Sequence, residues 1–384
     1  MTDKKTTAEL AEVCAAFKIG GELTGYEINP TGNINTTYKV VFLSEDGTEK
    51  FYILQKINTY VFKNPLLIMN NIDHVTEHIR AKGLKKPSLH FHHTASGANY
   101  YSNSHGCFWR LCNYIDSMTF DICGDPQILR RAGQAFGDFQ MQLSDFDASK
   151  LHETIPAFHN TEKRLDKLFT DVLEDTCGRA ASVRDEIEYI DSLRPSVIEL
   201  GELLNRREIP LRVTHNDTKV NNVLFDRNTR EPLTVIDLDT VMPGLTMHDF
   251  GDAVRSAANT AAEDERNLSA VRFDLNLYRA FADGFIGRTA GALTDREIET
   301  MALGALTITV ELASRFLDDY LIGDKYFKIN YAEHNVDRAR CQLRLARDMV
   351  FKFGEMRSIV KEITAKSRGQ YYHTSSLRPA MNEF

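Results

Sequence analysis

The sequence lacks any long apolar run. No stretch of its 384 residues approaches the roughly 20 apolar residues that a membrane-spanning helix needs, and Met1–Lys5 contains no apolar segment of a secretory signal. A surplus of basic residues is missing too, because the formal net charge is −8. We therefore expect a cytoplasmic protein that binds neither membranes nor nucleic acid backbones.

Paired cysteines are also absent. Six cysteines are scattered along the chain without a Cys-x-x-Cys pair, so reduced thiols are expected and no structural zinc site is. The run His90-Phe91-His92-His93 has no carboxylate or cysteine at ligand spacing. Its alternation favours a strand with polar faces over a metal site.

Two common nucleotide-binding signatures are missing as well. The sequence contains neither a Walker A pattern nor Gly-x-Gly-x-x-Gly, so a P-loop or Rossmann-type site has no support. A nucleotide would have to be held in another way.

One segment does carry the residue types of phosphoryl transfer: His215-Asn216-Asp217, followed by Asn222 and then Asp237. A kinase needs a carboxylate that accepts the proton of the acceptor hydroxyl, and an amide oxygen and a second carboxylate that hold magnesium. Such a pattern also arises by chance, since Asp and Asn are common in loops. An apolar start before the motif and a strand that delivers Asp237 favour the catalytic interpretation.

Two β-type runs predict how these residues meet. Val223–Phe225 and Leu233–Ile236 flank a polar connection and predict a hairpin. With Leu224 opposite Val235, Asn222 lies beside Asp237, so that two oxygen ligands of a hard cation share one edge.

The chain is longer than the roughly 250–300 residues at which single cores stop growing, which predicts two lobes. Strand-like runs cover 36–43, 51–57, 88–94, 100–102 and 107–114, with a helical pattern at 65–83. Later helical patterns cover 126–143, 162–173, 184–204, 248–257, 268–285, 295–321 and 335–363.

We therefore predict an α+β, bilobal, protein-kinase-like fold. Residues 1–112 would form a nucleotide-binding N-terminal lobe, with a small antiparallel sheet and one helix. Residues 113–384 would form a large, mostly helical C-terminal lobe that contains the catalytic hairpin and binds the acceptor.

The phosphate loop is expected between the first two strands, where Gly32, Asn33 and Thr36 are candidate nucleotide ligands. A plain polar loop is the alternative. Lys56 ends the next strand, where a kinase lysine pairs with the α- and β-phosphates, although a lone strand lysine usually faces solvent. Asp73 and Glu77 are both candidates for its acidic partner.

The motif segments resemble the aminoglycoside phosphotransferase and choline kinase family of small-molecule kinases. The resemblance to that family lies in residues 215–222 and 235–239. Six segments also resemble its N-acetylhexosamine 1-kinase members: 32–35, 54–58, 69–72, 237–244, 248–252 and 315–317.

The resemblance implies ATP and Mg²⁺ as cofactors and transfer of the γ-phosphoryl group to the anomeric hydroxyl of a sugar, N-acetylglucosamine or N-acetylgalactosamine. It implies Asp217 as catalytic base and Asn222 and Asp237 as magnesium ligands, with Asp239 nearby as a further carboxylate of the metal site. The remaining implied contacts are the adenine connector Asn113, Tyr114 and Ile115, and the sugar-binding residues Asn35, Arg315 and Tyr326.

Alternatives stay open at this point. Arg315 could instead form a salt bridge within its helix, and Tyr326 could be an ordinary surface residue. The acceptor could be another small alcohol, such as choline, an aminoglycoside or a plain sugar, and a cationic acceptor could use Asp318, Asp319 and Asp324. A nucleotide-binding regulatory protein without turnover is a further alternative, which the intact motif disfavours. A monomer or a small homo-oligomer is expected.

Overall fold

The N-terminal part of the chain folds around one antiparallel sheet. A computed structural model describes residues 4–29, 34–121 and 123–375. The sheet has five strands, in the spatial order first, second, third, fifth, fourth: β1 (Glu22–Asn29), β2 (Thr36–Leu43), β3 (Glu49–Lys56), β4 (Tyr101–Ser102) and β5 (Phe108–Asn113). The predicted strand at 88–94 is wrong, because Phe91 and Thr94 form only isolated bridges there.

The outer face of the sheet is covered by a helix that we did not predict, α1 (Lys4–Ala15). Its Leu10 and Val13 are fully buried and pack with residues of β2, β3 and β5. Leu10, Val13, Cys14 and Phe17 have the spacing of a helical apolar face. That spacing was the signal that could have revealed the helix.

The other face of the sheet is the cleft face, and it borders α2 (Pro65–Ala81), which confirms the predicted helix. Proline at the first helical position suits the start of this helix. Asn71, in its middle, is buried and crosses to the C-terminal lobe. Its side-chain nitrogen donates to Val241 O (2.9 Å) and His152 O (2.8 Å), and its oxygen accepts from His152 N (2.8 Å). The helix is therefore attached to both lobes.

Beyond residue 125 helices dominate. They are α3 (Pro126–Gln142), α4 (Thr161–Glu174), α5 (Arg184–Val197), α6 (Glu199–Asn205), α7 (Thr246–Ala257), α8 (Leu275–Thr289), α9 (Asp295–Glu299), α10 (Met301–Leu321), α11 (His334–Phe351) and α12 (Phe353–Ser375). Two short antiparallel pairs interrupt them: β6 (Arg212–Thr214) with β9 (Met242–Gly244), and β7 (Val223–Phe225) with β8 (Pro232–Val235). In the described part of the chain no helix has the length and apolar character needed to span a membrane.

Several predicted helix bounds are wrong. Each of the patterns at 184–204, 295–321 and 335–363 is divided into two helices. The helix predicted from residue 268 begins only at Leu275, because Asp274 caps it by accepting from Asn276 N (2.7 Å) and Leu277 N (3.1 Å). Apolar periodicity continues across such breaks and does not mark them.

The hairpin forms as predicted, but its register differs by one residue. Val223 lies opposite Val235 and Leu224 opposite Thr234, and a bulge follows at Phe225. The bulge lies on the turn side of these two pairs and does not explain the offset, since in a hairpin the turn sets the register. The Asn222 carbonyl accordingly accepts from Ile236 N (2.9 Å), and Asp237 is the next residue along.

Two glycines let α7 and α10 approach closely. A Cβ at Gly304 would lie 2.1 Å from the carbonyl oxygen of Met247, and one at Gly251 would lie 2.4 Å from that of Gly304. Only glycine permits this backbone contact. It holds α7, which carries Asp249 and Asp252, directly against α10.

Candidate active site

The candidate catalytic loop, residues 215–218, follows β6 and is held from beneath by Asp249. That carboxylate is buried and accepts from His215 N (2.8 Å), Asn216 N (2.7 Å) and Gln140 Nε2 (2.8 Å). Asn216 has φ = +63°, a left-handed conformation that costs free energy unless its surroundings hold it. The two hydrogen bonds to backbone donors supply that restraint.

Two further contacts fix the same loop. His215 Nε2 lies 2.8 Å from Ile236 O, at the end of the hairpin. Asp252 accepts from Thr218 N (3.0 Å) and is also bonded to Arg255 (2.9 Å). Asp217 is thus presented by a loop that is anchored on both sides.

Asp217 itself contacts two side chains. Lys219 Nζ lies 2.8 Å from one carboxylate oxygen. Asn222 Nδ2 donates to Asp217 O (2.9 Å) and to the other carboxylate oxygen (3.3 Å). Because these bonds use the amide nitrogen of Asn222, its amide oxygen is left available for a cation.

Asp237 lies next to this group, and its electrostatics suit a metal ligand. Burial, together with the nearby Asp239 and Asp217, raises the pKa of Asp237 to about 6. Clustered carboxylates that repel one another are stabilised by a bound divalent cation. The donor set therefore fits magnesium.

Protein ligands alone do not enclose an ion here. Across residues 4–29, 34–121 and 123–375, no three His, Cys, Asp or Glu side chains converge as ligands of one metal. Magnesium commonly binds through one or two carboxylates and completes its coordination with phosphate oxygens and water. Asn222 and Asp237 would hold it in that manner.

Replacing Asp237 by asparagine is expected to stabilise the metal-free protein near pH 7.5. The pKa of Asp237 is raised from an ordinary value near 4, so its ionisation costs stability that increases as pH rises from about 4 to above 6. Removing the charge should raise the unfolding free energy by about 1–3 kcal/mol at pH 7.5 and by far less near pH 4. Thermal unfolding at the two pH values measures this.

The same variant should lose its response to magnesium. ADP with Mg²⁺ should raise the melting temperature of the wild-type protein much more than that of Asp237→Asn. A variant that is less stable than wild type at pH 7.5 without metal would contradict the expected repulsion.

Above Asp237, a row of polar side chains crosses the cleft face of the sheet. Thr37, Gln55 and Arg110 are register partners on β2, β3 and β5. Gln55 Nε2 donates to Thr37 Oγ1 (3.0 Å), and Arg110 Nε donates to Gln55 Oε1 (2.9 Å). Arg110 is buried and forms an ion pair with Asp239.

Asn35 completes this arrangement. Its Nδ2 donates to Asp239 Oδ2 (2.6 Å), and its Oδ1 accepts from Asn58 N (2.9 Å). Asp239 is thus bonded to Asn35 and Arg110 of the N-terminal lobe, which places it behind Asp237. The structure joins Asn35 to Asp239, in the segment that carries Asp237, and not to Arg315 or Tyr326.

Lys56, expected at the phosphates, lies on the opposite face of the sheet. Its Nζ is 3.4 Å from Glu9 Oε1 of α1 and 5.3 Å from the centre of the Trp109 ring. Thr36 is its register partner and shares that outer face. Successive strand residues point to opposite sides, so Gln55 faces the cleft in place of Lys56.

The other nucleotide-site expectations are placed as follows. Asp73 pairs with His93 (3.2 Å) and Glu77 with Arg80 (2.5 Å), so neither is the partner of Lys56. Gly32 and Asn33 lie outside the described residues.

The connector between the lobes uses part of its hydrogen-bonding capacity internally. Asn113 N donates to His90 O (3.1 Å) and Tyr114 N to Phe51 O (3.3 Å). The Asn113 side chain holds the segment 88–90. The Ile115 carbonyl accepts from Ser117 Oγ (2.9 Å), so adenine recognition at this residue would use its backbone nitrogen.

The two expected acceptor residues do lie together. The Arg315 guanidinium centre is 5.8 Å from the Tyr326 ring, 5.5 Å from the Phe327 ring and 5.7 Å from the Phe158 ring. Tyr326 is 68% exposed. An exposed ring beside a half-buried guanidinium offers a wall and donors to a ligand.

The alternative salt bridges of Arg315 are not formed. Asp318 pairs with Lys167 (2.6 Å). Asp319 accepts from the backbone nitrogens of Lys325 (2.8 Å), Tyr326 (2.7 Å) and Phe327 (2.9 Å). Asp319 therefore builds the loop that carries Tyr326, and Arg315 has no carboxylate partner in the described part of the chain.

A buried histidine connects the helix that carries Arg315 to the catalytic loop. His159 Nδ1 lies 2.9 Å from Glu311 Oε1, one helical turn from Arg315, and its Nε2 lies 3.4 Å from Asn216 O. Burial acts to lower the pKa of His159, but Glu311 outweighs it and raises that pKa. The Glu311 carboxylate is therefore paired with His159 and not with Arg315.

The sequence analysis missed Lys219, Arg110, Asp249 and Asp252. Asp249 and Asp252 have the spacing of one helical face, and Arg110 is a charge inside an otherwise apolar strand. Such a charge is a signal of a buried ion pair. The partner of that pair could not be identified from local pattern.

Comparisons with known proteins identify a family and a fold for this chain. A profile described as a phosphotransferase enzyme family, APH, matches residues 26–283. One similar solved structure is an aminoglycoside phosphotransferase from Alicyclobacillus acidocaldarius, with 13% identity and a TM-score of 0.56, covering 94% of this chain and 96% of that chain. A microcompartment-associated aminopropanol kinase has 13% identity and a TM-score of 0.59, with 92% of this chain and 98% of that chain covered. An amicoumacin kinase in complex with AMP-PNP and Ca²⁺ has 12% identity and a TM-score of 0.54, with 95% of this chain and 94% of that chain covered.

At these identities the solved structures show the fold alone, and they confirm the predicted bilobal, protein-kinase-like α+β architecture. The profile covers two thirds of the chain, including the catalytic loop, the hairpin and α7. The chain therefore belongs to the APH family of phosphotransferase enzymes.

Proposed function

We propose that the protein is a small-molecule kinase that uses ATP and Mg²⁺ to phosphorylate the anomeric hydroxyl of an N-acetylhexosamine, such as N-acetylglucosamine or N-acetylgalactosamine. The family supports phosphoryl transfer. Nucleotide and metal use is supported by the amicoumacin kinase that binds AMP-PNP and Ca²⁺. The acceptor class is supported by the side chains around Arg315.

The charge of the side chains around Arg315 is the observation that carries the proposal. Arg315 has no carboxylate partner, and Arg164 lies close enough that burial and Arg315 lower its pKa. Asp318 and Asp319 are committed to the contacts described above, and Asp324 pairs with Arg179 (2.6 Å). Two arginines, beside three aspartates that each already have partners, favour a neutral, oxygen-rich acceptor over choline or an aminoglycoside.

The chain's own residues suit the chemistry. The acceptor oxygen would form a bond to the γ-phosphorus of ATP. The bond between that phosphorus and the oxygen that leaves with ADP would break, and the hydroxyl proton would pass to Asp217. Lys219, 2.8 Å from Asp217, would keep that carboxylate oriented and lie beside the transferred group. A bound magnesium ion would supply charge neutralisation on the phosphates.

The direct test is ATP consumption with Mg²⁺ against N-acetylhexosamines, plain hexoses, choline and an aminoglycoside, with phosphorus NMR of the product. An anomeric phosphate on an N-acetylhexosamine supports the proposal. Turnover on a cationic acceptor only would refute the acceptor class, and no turnover on any acceptor would refute the kinase proposal for this panel.

Arg315→Met is expected to raise the KM for the sugar by about 10–100-fold, because a buried polar contact to the acceptor is lost. The KM for ATP should change by less than about twofold, since Arg315 lies on the acceptor side. Arg315→Lys is the matched control, and it should recover only part of the affinity. Equal changes in both KM values would contradict an acceptor-specific role.

A further inference from the structure

Near the segment that carries Asp237, the positive charge on the cleft face of the sheet comes from an unexpected strand. At the end of β3 the cleft-facing side chain is the neutral Gln55, and Lys56 is directed towards α1. The neighbouring strand β5 provides Arg110, whose guanidinium is bonded to both Gln55 and Asp239. A positively charged side chain therefore does contact the segment of Asp237–Asp239, but it comes from β5 and not from β3.

We propose that Arg110, fixed by Gln55, is the positioning residue that replaces the strand lysine of this site: through Asp239 it holds the segment that carries Asp237, and so determines how tightly the cleft binds a magnesium–nucleotide complex. The inference deepens the proposed function and rests on it for the use of that nucleotide.

Burial makes this pairing demanding. Arg110 is 2% exposed and Asp239 is 3% exposed. Leaving a buried carboxylate without its charged partner strongly destabilises a protein. The position of Asp239 therefore depends on that of Arg110. Asp237 is only two residues away and has a left-handed backbone, φ = +60°, which a displaced Asp239 would not maintain.

The fork of the guanidinium explains why arginine suits this position. Nε donates to Gln55 while Nη1 contacts Asp239, so one side chain links β3, β5 and the segment after β8. Gln55 is in turn held by Thr37 (3.0 Å), and Asn35 reaches Asp239 from the start of β2 (2.6 Å). A single lysine at position 110 could make only part of these contacts.

The test measures ADP binding by calorimetry, with Mg²⁺ and with EDTA, so that no acceptor is needed. Arg110→Met should weaken Mg–ADP binding at least tenfold, and Gln55→Leu about three- to tenfold, with little change in EDTA. Lys56→Met is the matched control on the outer face and should change Mg–ADP affinity by less than twofold.

Melting temperatures and circular dichroism of each variant establish that it is folded. If Arg110→Met does not fold, Gln55→Leu and Arg110→Lys carry the test. Gln55→Leu replaces a neutral side chain by another of similar length, and Arg110→Lys keeps a positive charge beside Asp239. A merely structural role would lower the melting temperature and leave the ratio of affinities in Mg²⁺ and EDTA at its wild-type value, and that outcome overturns the proposal.

Weak Mg–ADP binding in Lys56→Met, with wild-type affinity in the Gln55 and Arg110 variants, overturns it as well. Failure of the proposed function would look different: the wild-type protein would bind Mg–ADP with the expected dependence on Arg110 and still phosphorylate no N-acetylhexosamine.

Discussion

Asp217→Asn is expected to lower kcat by about 10²–10⁴-fold, the contribution of a positioned general base, while the Kd for Mg–ATP changes by less than about threefold. Asparagine preserves the size of the side chain and its hydrogen bond with Asn222, but it cannot take the acceptor proton. Initial rates and nucleotide titration measure the two quantities separately.

The control for this variant is Asp191→Asn, which changes the same functional group on the exposed side of α5. It should retain wild-type rates. Full activity of Asp217→Asn would remove Asp217 from the role of base, and a parallel loss of nucleotide affinity would indicate that the loop had been disturbed.

Asp249→Ala is expected to have the largest effect on stability. Three donors, His215 N, Asn216 N and Gln140 Nε2, would lose their common acceptor in the interior. At about 1–3 kcal/mol for each unsatisfied group, the loss of unfolding free energy should reach at least about 3 kcal/mol. For a chain of 384 residues, with an unfolding entropy of about 2.1 cal/mol/K per residue, this loss should lower the melting temperature by at least about 4 °C. Activity should fall with it, because the left-handed Asn216 would no longer be held.

Gln140→Leu separates the two effects. It removes one of the three donors and leaves both backbone bonds to Asp249, so it should cost about 1 kcal/mol and preserve kcat. An Asp249→Ala protein that melts within about 1 °C of wild type, at about 1 °C per kcal/mol for a chain of this length, would show that water replaces the carboxylate and that the restraint lies elsewhere.

The motif chemistry could be predicted from the sequence because its residues are close along the chain. Asp217 and Asn222 are five residues apart, and the hairpin that delivers Asp237 has a clear β pattern. The register was wrong by one residue, since the turn that sets it leaves no mark in an alternating pattern. The helix at 65–81 was predictable from its apolar spacing alone.

The contacts that organise the site are of a different kind. Arg110 and Asp239 are separated by 129 positions, and Asn35 and Asp239 by 204. No local pattern specifies such pairs. Lys56 shows a second limit, because a lysine next to a glutamine on a strand gives no indication of which one faces the cleft until the covering helix is known. That helix, α1, was the element we did not predict.

The loop after α10 has a consequence for how this protein could acquire a new acceptor. Its backbone at residues 325–327 is bonded to one carboxylate, Asp319, which does not contact the catalytic loop. Substitutions or short insertions between Gly323 and Phe327 would therefore change the aromatic side chains beside Arg315. Asp217, Asn222 and Asp237 would keep their positions. In evolutionary terms the chain separates the part that can vary from the part that cannot, and directed evolution of acceptor range should begin with this loop.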